Sequence, residues 1–392
     1  MKIAVIGCKG LPPHEGGIEH HSAEIYSRIV TKGHLIDLFA RSSYTGVSWR
    51  DPSEFRGVRI VSLPGSRFNG VDALVNSAIS TVASSLRRYD IVHFHALGPS
   101  LWLWLPYLIT RSKIIVTCHG LDWQRGKWGK FSSLLIRLGE LVAVRFAHRI
   151  IVVSEDLQLY FRQAYGRETI YIGNAPARYA ESDLSFSYGT SLGLNKSRYI
   201  LFLGRVVPEK CPGLLITAFQ QLQLEGWKLV IAGGIADDSA FAKDLLRLAA
   251  GRTDIVFTGE LRGSQLAEIV RNAGIFMLPS ALEGLSLALL EAMHEKVPVI
   301  ASDLPIHQTL IGKERGLLFR THDLESCMSK LEWAVQHFPQ MEVMASKAQS
   351  YVKKHHNWDH VVIEHLAVYQ QVLTSGDLPI FHGQEAVISC DE

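Results

Sequence analysis

Short runs of β-branched and apolar residues alternate with helix-length amphipathic segments along the whole of this chain. The first such unit runs from the strand-like segment Lys2–Ile6 through the helical pattern Glu19–Lys32 to the strand-like segment Leu35–Phe39. This alternation is typical of βαβ units, which build parallel sheets covered by helices on both faces. The sequence therefore predicts an α/β fold. The further predicted strands are Val58–Ser62, Ile91–His93, Lys113–Thr117, Ile150–Val153, Tyr199–Leu203, Lys228–Ile231, Ile255–Thr258, Ile275–Leu278 and Val297–Ala301.

One break in this alternation divides the chain into two parts. Its 392 residues exceed the roughly 250–300 residues at which a single hydrophobic core stops growing. The stretch Gly173–Arg198 is rich in Ser, Gly, Asn and Tyr and has no sustained period, which is typical of a connection. We therefore predict a first domain over 1–175, a linker over 176–198, a second domain over 199–355 and a weakly ordered tail over 376–392.

Charge and cysteine content exclude several classes of protein. The 40 Lys and Arg residues balance 38 Asp and Glu residues, so nucleic acid is not expected as a partner. The five cysteines are scattered and include no CxxC pair, which favours reduced thiols. The most apolar run, Leu101–Ile109, is about half as long as a bilayer span, and the first residues do not resemble a signal peptide. A cytoplasmic protein is expected, with or without peripheral contact to the inner face of a membrane.

A glycine-rich turn, GCKGLPPHEGGIEHH, follows the first strand and spans Gly7–His21. Between a strand and a helix, such a turn presents backbone N–H groups at a place where phosphate is favoured. Its spacing is not GxGxxG, so the dinucleotide fingerprint is missing. Two interpretations stay open from the residues alone: an anion-binding loop, or a turn whose glycines only supply positive φ.

Histidines stand at the ends of two successive strands. His93 and His95 share one strand face, as residues i and i+2 do, and such a pair can bind metal. No carboxylate ligand follows them, so the sequence predicts no metal site. His119, in VTCHG, ends the next strand, at the edge where open α/β sheets bind ligands. We predict a functional histidine at His119, and the alternative is a structural, hydrogen-bonded one.

The second half carries the strongest signals. In LFLGRVVPEKCPG, Gly204 turns the chain after a strand, and Arg205 and Lys210 follow it. Two cations on such a loop can flank a diphosphate, with Arg as a fork of donors and Lys as a point charge. For an isolated pair, solvated surface charge is the alternative.

Two glutamates eight residues apart occur in PSALEGLSLALLEAM. Glu283 precedes a helix that Gly284-Leu285-Ser286 opens, and Glu291 lies on that helix. Amides at a helix start bind anions, and carboxylates accept hydrogen bonds from hydroxyls. The pattern fits a ligand with both phosphates and sugar hydroxyls. Taken alone, each glutamate could also be a helix-start or surface residue.

The segment GLDWQRGKWGKF, residues 120–131, mixes aromatic rings with cations. This mixture suits a lipid-linked diphosphate acceptor or an anionic membrane face. The alternative is ordinary packing of surface tryptophans. The residues concerned are Trp123, Arg125, Lys127, Trp128, Lys130 and Phe131.

Five segments of the chain occur in the order typical of one known family. They are GGIEHH (16–21), VTCHG (116–120), LGRVVPEK (203–210), FTGE (257–260) and EGLSLALLE (283–291). Over nearly its whole length the chain resembles the retaining GT-B glycosyltransferases of family 4, also called group 1. The resemblance implies two Rossmann-like domains facing each other across a cleft. The segment WDHVVIEHLAVY, within about 356–375, looks like the final helix that crosses back to the first domain in that family.

The resemblance also implies roles for individual residues. His119 would face the donor sugar from the first domain. Arg205 and Lys210 would neutralise the diphosphate leaving group. Glu283 would hydrogen-bond the transferred sugar, and Glu291 would bind the ribose of the nucleotide. The further donor-binding positions would be Gly16, Gly17, Gly204, Gly259, Leu261, Gly284, Leu285 and Ser286.

The function expected from this resemblance is transfer of a sugar from a nucleotide-diphosphate sugar to a hydroxyl of a glycan or lipid-linked acceptor. The transferred sugar would retain its anomeric configuration. The reaction would belong to surface polysaccharide or glycoconjugate synthesis. No metal or cofactor is expected, because fixed cations would stabilise the charge that develops on the diphosphate. One alternative is a nucleotide-sugar epimerase of the same architecture, which would release a free sugar. The other is a catalytically silent scaffold, which would not need the four charged residues at 205, 210, 283 and 291.

Overall fold

Each half of the chain is built on its own parallel sheet. The structure is a computed structural model, and it describes residues 1–14, 16–47, 51, 53–65, 72–124, 129–234 and 240–374. Internal contacts divide the chain into two units: Met1–Asn174 together with the segment that begins at Trp358, and Ala175–Asn357. The α/β fold predicted from the sequence is confirmed in both units.

The described residues of the first unit form eight strands in one sheet. Its strands are β1 (Lys2–Ile6), β2 (Leu35–Arg41), β3 (Ser53–Phe55), β4 (Val58–Leu63), β5 (Ile91–His95), β6 (Lys113–Cys118), β7 (Arg149–Val152) and β8 (Ile170–Tyr171). They follow the order β3-β4-β2-β1-β5-β6-β7-β8, and only the β3–β4 pair is antiparallel among these pairings. Its helices are α1 (Gly17–Thr31), α2 (Ser42–Thr45), α3 (Asp72–Ser85), α4 (Trp104–Ile109), α5 (Lys130–Phe146) and α6 (Glu155–Tyr165).

The strand order of this sheet reverses between β1 and β5, and the loops after these two strands touch. Gly7 follows β1 with φ of 102°, and a Cβ placed on it would lie 2.1 Å from the carbonyl oxygen of His95. Only glycine fits at that position, because a side chain would collide with backbone. Ligands of open α/β sheets bind at the carboxyl ends of the strands beside such a reversal.

In the second unit, the part of the chain that the structure describes forms a six-stranded, parallel sheet. Its strands are β9 (Tyr199–Leu203), β10 (Lys228–Ala232), β11 (Ile255–Gly259), β12 (Ile275–Leu278), β13 (Val299–Ser302) and β14 (Leu317–Phe319). The order is β11-β10-β9-β12-β13-β14, so the reversal lies between β9 and β12. Its helices are α7 (Ser187–Ser191), α8 (Pro212–Leu222), α9 (Ala240–Leu248), α10 (Gly263–Arg271), α11 (Leu287–His294), α12 (Pro305–Ile311), α13 (Leu324–Gln336) and α14 (Phe338–His355). Tyr199 and Leu201 pack into one core and Ile200 and Phe202 into another, because helices cover both faces.

Residues 176–198, which the sequence analysis assigned to a linker, belong to the second unit. Phe186 and Leu194 are buried in its core, at 3% and 2% exposure. The buried carboxylate of Glu268 accepts a hydrogen bond from the amide of Gly189 at 2.9 Å. These anchors are too widely spaced along the chain to produce a helical or strand period, so the sequence pattern hides them.

A final helix, α15 (Trp358–Thr374), returns to the first unit, as the family resemblance implies. It packs against α1. Its buried residues recur at intervals of three and four, which gives the helix one apolar face. The hydroxyl of Tyr369 reaches the interior of the unit and lies 2.7 Å from Nδ1 of His93. The buried residues of this face are Trp358, Val361, Val362, His365, Val368, Tyr369 and Val372.

Candidate active site

Two loops of the second unit meet where the strand order reverses. Arg205 follows β9, and Glu283 lies in the loop between β12 and α11. The loop after β9 continues into a 3₁₀ turn, Pro208–Lys210, and the amide of Ala281 donates a hydrogen bond to the carbonyl oxygen of Glu209 at 2.8 Å. This backbone bond holds the two loops together, so residues far apart in sequence form one site.

Lys210 and Glu283 form a buried ion pair. Nζ of Lys210 donates a hydrogen bond to Oε1 of Glu283, and Oγ of Ser280 donates to the same oxygen at 2.7 Å. The two charged side chains are only 15% and 9% exposed. Burial raises the pKa of the Glu283 carboxyl, but the charge of Lys210 and these hydrogen bonds outweigh burial and hold the pKa below its usual value. Glu283 is therefore a carboxylate at neutral pH.

Arg205 lies beside this pair in sequence and is half-buried. Within the described part of the chain its guanidinium makes no hydrogen bond or ion pair, so its five N–H donors are not used by the protein itself. Gly204 precedes it with φ of 153°. A Cβ placed on Gly233 would lie 1.8 Å from the carbonyl oxygen of Gly204. The loops after β9 and β10 thus approach more closely than a side chain allows, which fixes the backbone that carries Arg205.

Glu291 lies on α11, and its carboxylate contacts Tyr179. The Tyr179 hydroxyl donates to Oε2 of Glu291 at 2.7 Å. Burial raises the pKa of Glu291 above its usual value, and the hydrogen bonds from Tyr179 and the backbone at Ala177 oppose this only in part. Ser286 caps α11: its Oγ accepts from the amide of Leu289 at 3.5 Å.

The other predicted donor-binding residues of this unit lie at strand ends or at the start of α11. Gly259 ends β11 with φ of 68°, and its carbonyl oxygen accepts from the amide of Gly233 at 2.8 Å. The side chain of Leu261 is buried in the core at 8% exposure, so only its backbone could contact a ligand. Gly284 and Leu285 lie in the loop before α11. The structure therefore brings these residues to one edge of the sheet.

In the first unit, the glycine-rich turn leads into α1. Gly16 is the N-terminal cap of α1 with φ of 94°, and Gly17 is the first helical residue. Glu19, only 4% exposed, accepts a hydrogen bond from the amide of Lys9 at 3.0 Å. The buried carboxylate of Glu19 thus links the start of the turn to α1. The turn places the first amides of α1 near the strand-order reversal.

His119 follows β6 and packs against two other histidines. Its Nε2 lies 2.9 Å from Nδ1 of His95, and its ring centroid lies 4.7 Å from that of His21, which comes from α1. One nitrogen of each of these three rings lies within 4.8 Å of the others. The sequence predicted no metal site because no third ligand follows His93 and His95. In the fold, further imidazoles reach His95 from α1 and from the end of β6.

Trp123, predicted on the acceptor or membrane side, packs on α5. Its Nε1 donates to Oε2 of Glu140 at 2.9 Å, and the Arg137 guanidinium lies over its ring, 4.5 Å from the centroid. Glu140 is fully buried and also accepts from the hydroxyls of Tyr160 and Tyr165. These contacts favour the packing role that the sequence left open for this tryptophan. Three other members of the segment, Arg125, Lys127 and Trp128, lie outside the described residues.

The exposed face of α5 is apolar and basic. Phe131, Leu134, Leu138 and Leu141 are 73%, 54%, 40% and 47% exposed. Lys130, Arg137 and Arg145 are exposed on the same helix, and at 100° per residue all seven fall on one side. Among the described helices, none is both long enough and apolar enough to cross a membrane.

Three residues at the second-unit site gave no signal in the sequence analysis. Tyr179 lies in the stretch assigned to the linker. Glu209 has both carboxylate oxygens buried, with no hydrogen-bond partner among the described residues. His307, on α12, is fully buried, and burial lowers its pKa, so a neutral imidazole lies near Glu283. His307 follows β13, and the strand-end rule that singled out His119 would have found it.

The second-unit site suits an anion that also carries hydroxyl groups. Fixed cations stabilise negative charge that develops on a phosphate leaving group, without reorganising during the reaction. An ionised carboxylate only accepts hydrogen bonds, so Glu283 is suited to hydroxyl donors. Lys210 and Glu283 also fix each other's positions before any ligand binds.

Two family models match the chain, one in each half. The model described as Glycosyltransferase Family 4 matches residues 15–174, and that described as Glycosyl transferases group 1 matches residues 190–351. An uncharacterized glycosyltransferase of Methanocaldococcus jannaschii is 23% identical over 94% of this chain and 98% of its own. A GDP-mannose:cellobiosyl-diphosphopolyprenol alpha-mannosyltransferase of Komagataeibacter xylinus is 25% identical over 73% of this chain and 72% of its own.

Solved structures share the fold. Sucrose-phosphate synthase from Thermosynechococcus elongatus superposes with a TM-score of 0.80 at 18% identity, covering 95% of this chain and 99% of that one. HepE of Anabaena in complex with UDP-glucose gives a TM-score of 0.77 at 17% identity, covering 95% and 100%. The GT-B fold expected from the sequence is thereby confirmed.

Replacing Lys210 by Met removes the cation that compensates the buried carboxylate of Glu283. At pH 7 we expect a loss of about 3–5 kcal/mol in the free energy of unfolding of the second unit, because breaking a buried pair leaves one charge alone. A Lys210→Met/Glu283→Gln double variant should recover most of this loss. Urea unfolding of the parent, both single variants and the double variant measures the coupling.

The loss of stability caused by Lys210→Met should also be smaller at acidic pH than at pH 7. In the parent, the lowered pKa of Glu283 gives stability that is present above the unfolded value of about 4.3 and is lost as pH falls through the folded pKa. Without Lys210, burial raises the pKa of Glu283, so the carboxyl of the Lys210→Met variant protonates on mild acidification. The free-energy cost of an unpaired buried charge is then removed. An equal loss at pH 4 and pH 7 would contradict this account.

Proposed function

Because the chain belongs to glycosyltransferase family 4, the group 1 glycosyltransferases, we propose that it transfers a sugar from a nucleotide-diphosphate sugar to a hydroxyl group with retention of the anomeric configuration. The proposed acceptor is a glycan or a lipid-linked precursor in surface polysaccharide or glycoconjugate synthesis. The observation that carries the proposal is the buried Lys210–Glu283 pair, on the loop that also carries Arg205, at the strand-order reversal of the second sheet.

The leaving group is the nucleoside diphosphate, which gains negative charge as its bond to the sugar breaks. Arg205 offers a planar fork of donors, and Lys210 offers a point charge that Glu283 holds in place. Preorganised cations stabilise the transition state more than the bound donor. These two cations take the role that a divalent metal has in other transferases, so the proposed catalysis is metal-independent. HepE, a structural neighbour, was solved with UDP-glucose, a donor of this class.

The carboxylates of the second unit are assigned to hydroxyl groups of the donor. Oε1 of Glu283 already accepts from Lys210 and Ser280, and we assign a sugar hydroxyl to its other oxygen. Glu291, held by Tyr179, is assigned to the ribose. From the first unit, the family resemblance assigns His119 to the donor sugar.

Retention in this scheme needs no protein nucleophile. The lowered pKa of Glu283 and the hydrogen bonds from Lys210 and Ser280 make its carboxylate a weak base and a weak nucleophile. The acceptor hydroxyl therefore attacks from the face that the diphosphate leaves. The bond from the anomeric carbon to the acceptor oxygen forms as the bond to phosphate breaks, and a phosphate oxygen takes the acceptor's proton.

The exposed face of α5 is the proposed approach for a lipid-linked acceptor and an anionic membrane. A helix that exposes both apolar and basic residues lies in the interface of a bilayer, with the basic residues drawn to anionic lipids. Phe131 and Leu134 begin this face, and Lys130 precedes them. The relative from Komagataeibacter xylinus is named for a diphosphopolyprenol-linked acceptor.

Product analysis tests the proposal directly. Incubating the full chain with nucleotide sugars and a lipid extract should yield a glycoside with the anomeric configuration of its donor, and turnover should persist in excess EDTA. NMR coupling constants identify the anomer. A product with the inverted anomeric configuration would count against the proposal. So would a loss of turnover on chelation that Mg²⁺ or Mn²⁺ restores. A free sugar epimer, formed without any acceptor, would indicate an epimerase instead.

Steady-state kinetics separate the roles of two charged residues. Lys210→Ala should lower kcat about 10²–10³-fold, because charge on the diphosphate grows towards the transition state. Glu291→Ala should raise KM more than it lowers kcat, because the charge of a ribose hydroxyl does not change during transfer.

Two exposed residues of the second unit are matched controls for these substitutions. Lys347 and Glu314 pair with each other at the surface, at 50% and 71% exposure, and their replacement by Ala should leave both constants near the parent values. If Glu291→Ala mainly lowers kcat while Lys210→Ala mainly weakens donor binding, the assignments are reversed.

Vesicle sedimentation tests the α5 surface. A Phe131→Ser/Leu134→Ser variant should sediment less with phosphatidylserine-containing vesicles than the parent, because it removes two exposed apolar side chains. A Leu184→Ser/Val343→Ser variant, which removes apolar side chains exposed on the second unit, should sediment like the parent. Binding of the parent should weaken as salt rises, since basic residues contribute. Equal sedimentation of both variants and the parent would show that α5 is not the contact.

A further inference from the structure

Five histidines from four parts of the chain pack together inside the first unit. His93 and His95 lie on β5, His119 follows β6, His21 lies on α1 and His365 lies on α15. All except His119 are fully buried. An imidazole binds a metal ion through the lone pair of a ring nitrogen that carries no proton.

His21 presents such a lone pair inside the cluster. Its Nδ1 donates to Oδ1 of Asn174 at 2.5 Å, so in the neutral ring Nε2 is the nitrogen without a proton. That Nε2 is buried and has no hydrogen-bond partner among the described residues. An unpaired buried acceptor costs free energy, and a bound cation would satisfy it.

His95 is oriented by a chain of hydrogen bonds on its other side. Its Nε2 lies 2.6 Å from the hydroxyl of Tyr26, which lies 3.0 Å from Nδ1 of His93. Nε2 of His93 in turn lies 2.7 Å from Oγ1 of Thr117. Nδ1 of His93 also lies 2.7 Å from the hydroxyl of Tyr369. When Tyr26 is the donor to Nδ1 of His93, Nε2 of His95 donates to Tyr26 and the lone pair of His95 is on Nδ1, which faces His119. Hydrogen bonds of this kind orient the histidine ligands of metal sites.

We propose that His21, His95 and His119 bind a divalent transition-metal ion of the zinc type. Three neutral imidazoles with a fourth position for water are a ligand set that zinc uses in proteins. The nitrogens lie within 4.8 Å of one another, whereas tetrahedral bonds of about 2.0–2.1 Å place ligand nitrogens about 3.3 Å apart. The rings therefore shift on binding, and His119 is the least buried of the three.

The effect of this ion on activity rests on the proposed function. His119 is assigned there to the donor sugar, and an ion bound to its imidazole withdraws it from that role. Zinc is therefore an inhibitor of the transferase, and chelation restores turnover. The site differs from a catalytic metal centre, because sugar transfer proceeds without the ion.

Cobalt titration of the full chain tests the site without reference to activity. Co²⁺ should give visible absorption bands that saturate at one ion per chain, and Zn²⁺ should displace it. His21→Gln and His119→Ala should each abolish these bands. Asn174→Ala, which removes the partner of Nδ1 of His21, should weaken binding about 10–100-fold. His322→Gln alters an exposed histidine of the second unit and should bind like the parent.

The outcomes separate this inference from the proposed function. Circular dichroism verifies folding of each variant, and His119→Ala removes a half-exposed side chain that the core does not need. Without saturable Co²⁺ absorption in the parent, or with absorption unchanged in His21→Gln and His119→Ala, the site is refuted. If the protein binds Co²⁺ but transfers no sugar, the metal site is supported and the proposed function is refuted. If it transfers sugar but binds no Co²⁺, the proposed function is supported and the metal site is refuted.

Discussion

Both sheets of this protein are covered by helices on both faces, so their strands are mostly apolar and the candidate site residues cluster at the strand ends. In each unit the strand order reverses once, between β1 and β5 and between β9 and β12. Loops that diverge at such a reversal leave room for a ligand. Arg205, Glu283 and His119 follow strands at these edges, and His95 ends one. Topology brings them together, since Lys210 and Glu283 are 73 residues apart in sequence.

The Lys210–Glu283 site of the second unit and the histidine cluster of the first stabilise their buried polar groups in opposite ways. In the second unit, Lys210 and Glu283 remain charged together and compensate each other. In the first unit, burial suppresses the charge of the histidines, and hydrogen bonds such as that of His21 to Asn174 satisfy individual nitrogens. A charged pair is suited to an ionic ligand, whereas neutral imidazoles are suited to hydroxyl groups or to a metal ion.

The sequence predicts most of the fold because fully buried strands are continuous apolar runs. Every strand predicted from the sequence is present, with bounds that differ by at most two residues. The three strands that were missed, β3, β8 and β14, have two or three residues and lie at sheet edges, too short to form a pattern. Strand-end residues such as Glu283 carried a local signal. Tyr179 and His21 did not, because their partners, Glu291 and His119, lie roughly 100 residues away.

Helix α15 follows the second unit in sequence but completes the first. It brings the Tyr369 hydroxyl to His93 and the ring of Trp358 to within 5.9 Å of that of His21. On the ribosome, roughly 200 residues separate Asn174 from the end of this helix, which takes on the order of 10–40 s to synthesise. The second unit is continuous and can fold within that interval, while the first still exposes the apolar face that α15 covers. Synthesis therefore completes the two units in the reverse of the order in which it begins them.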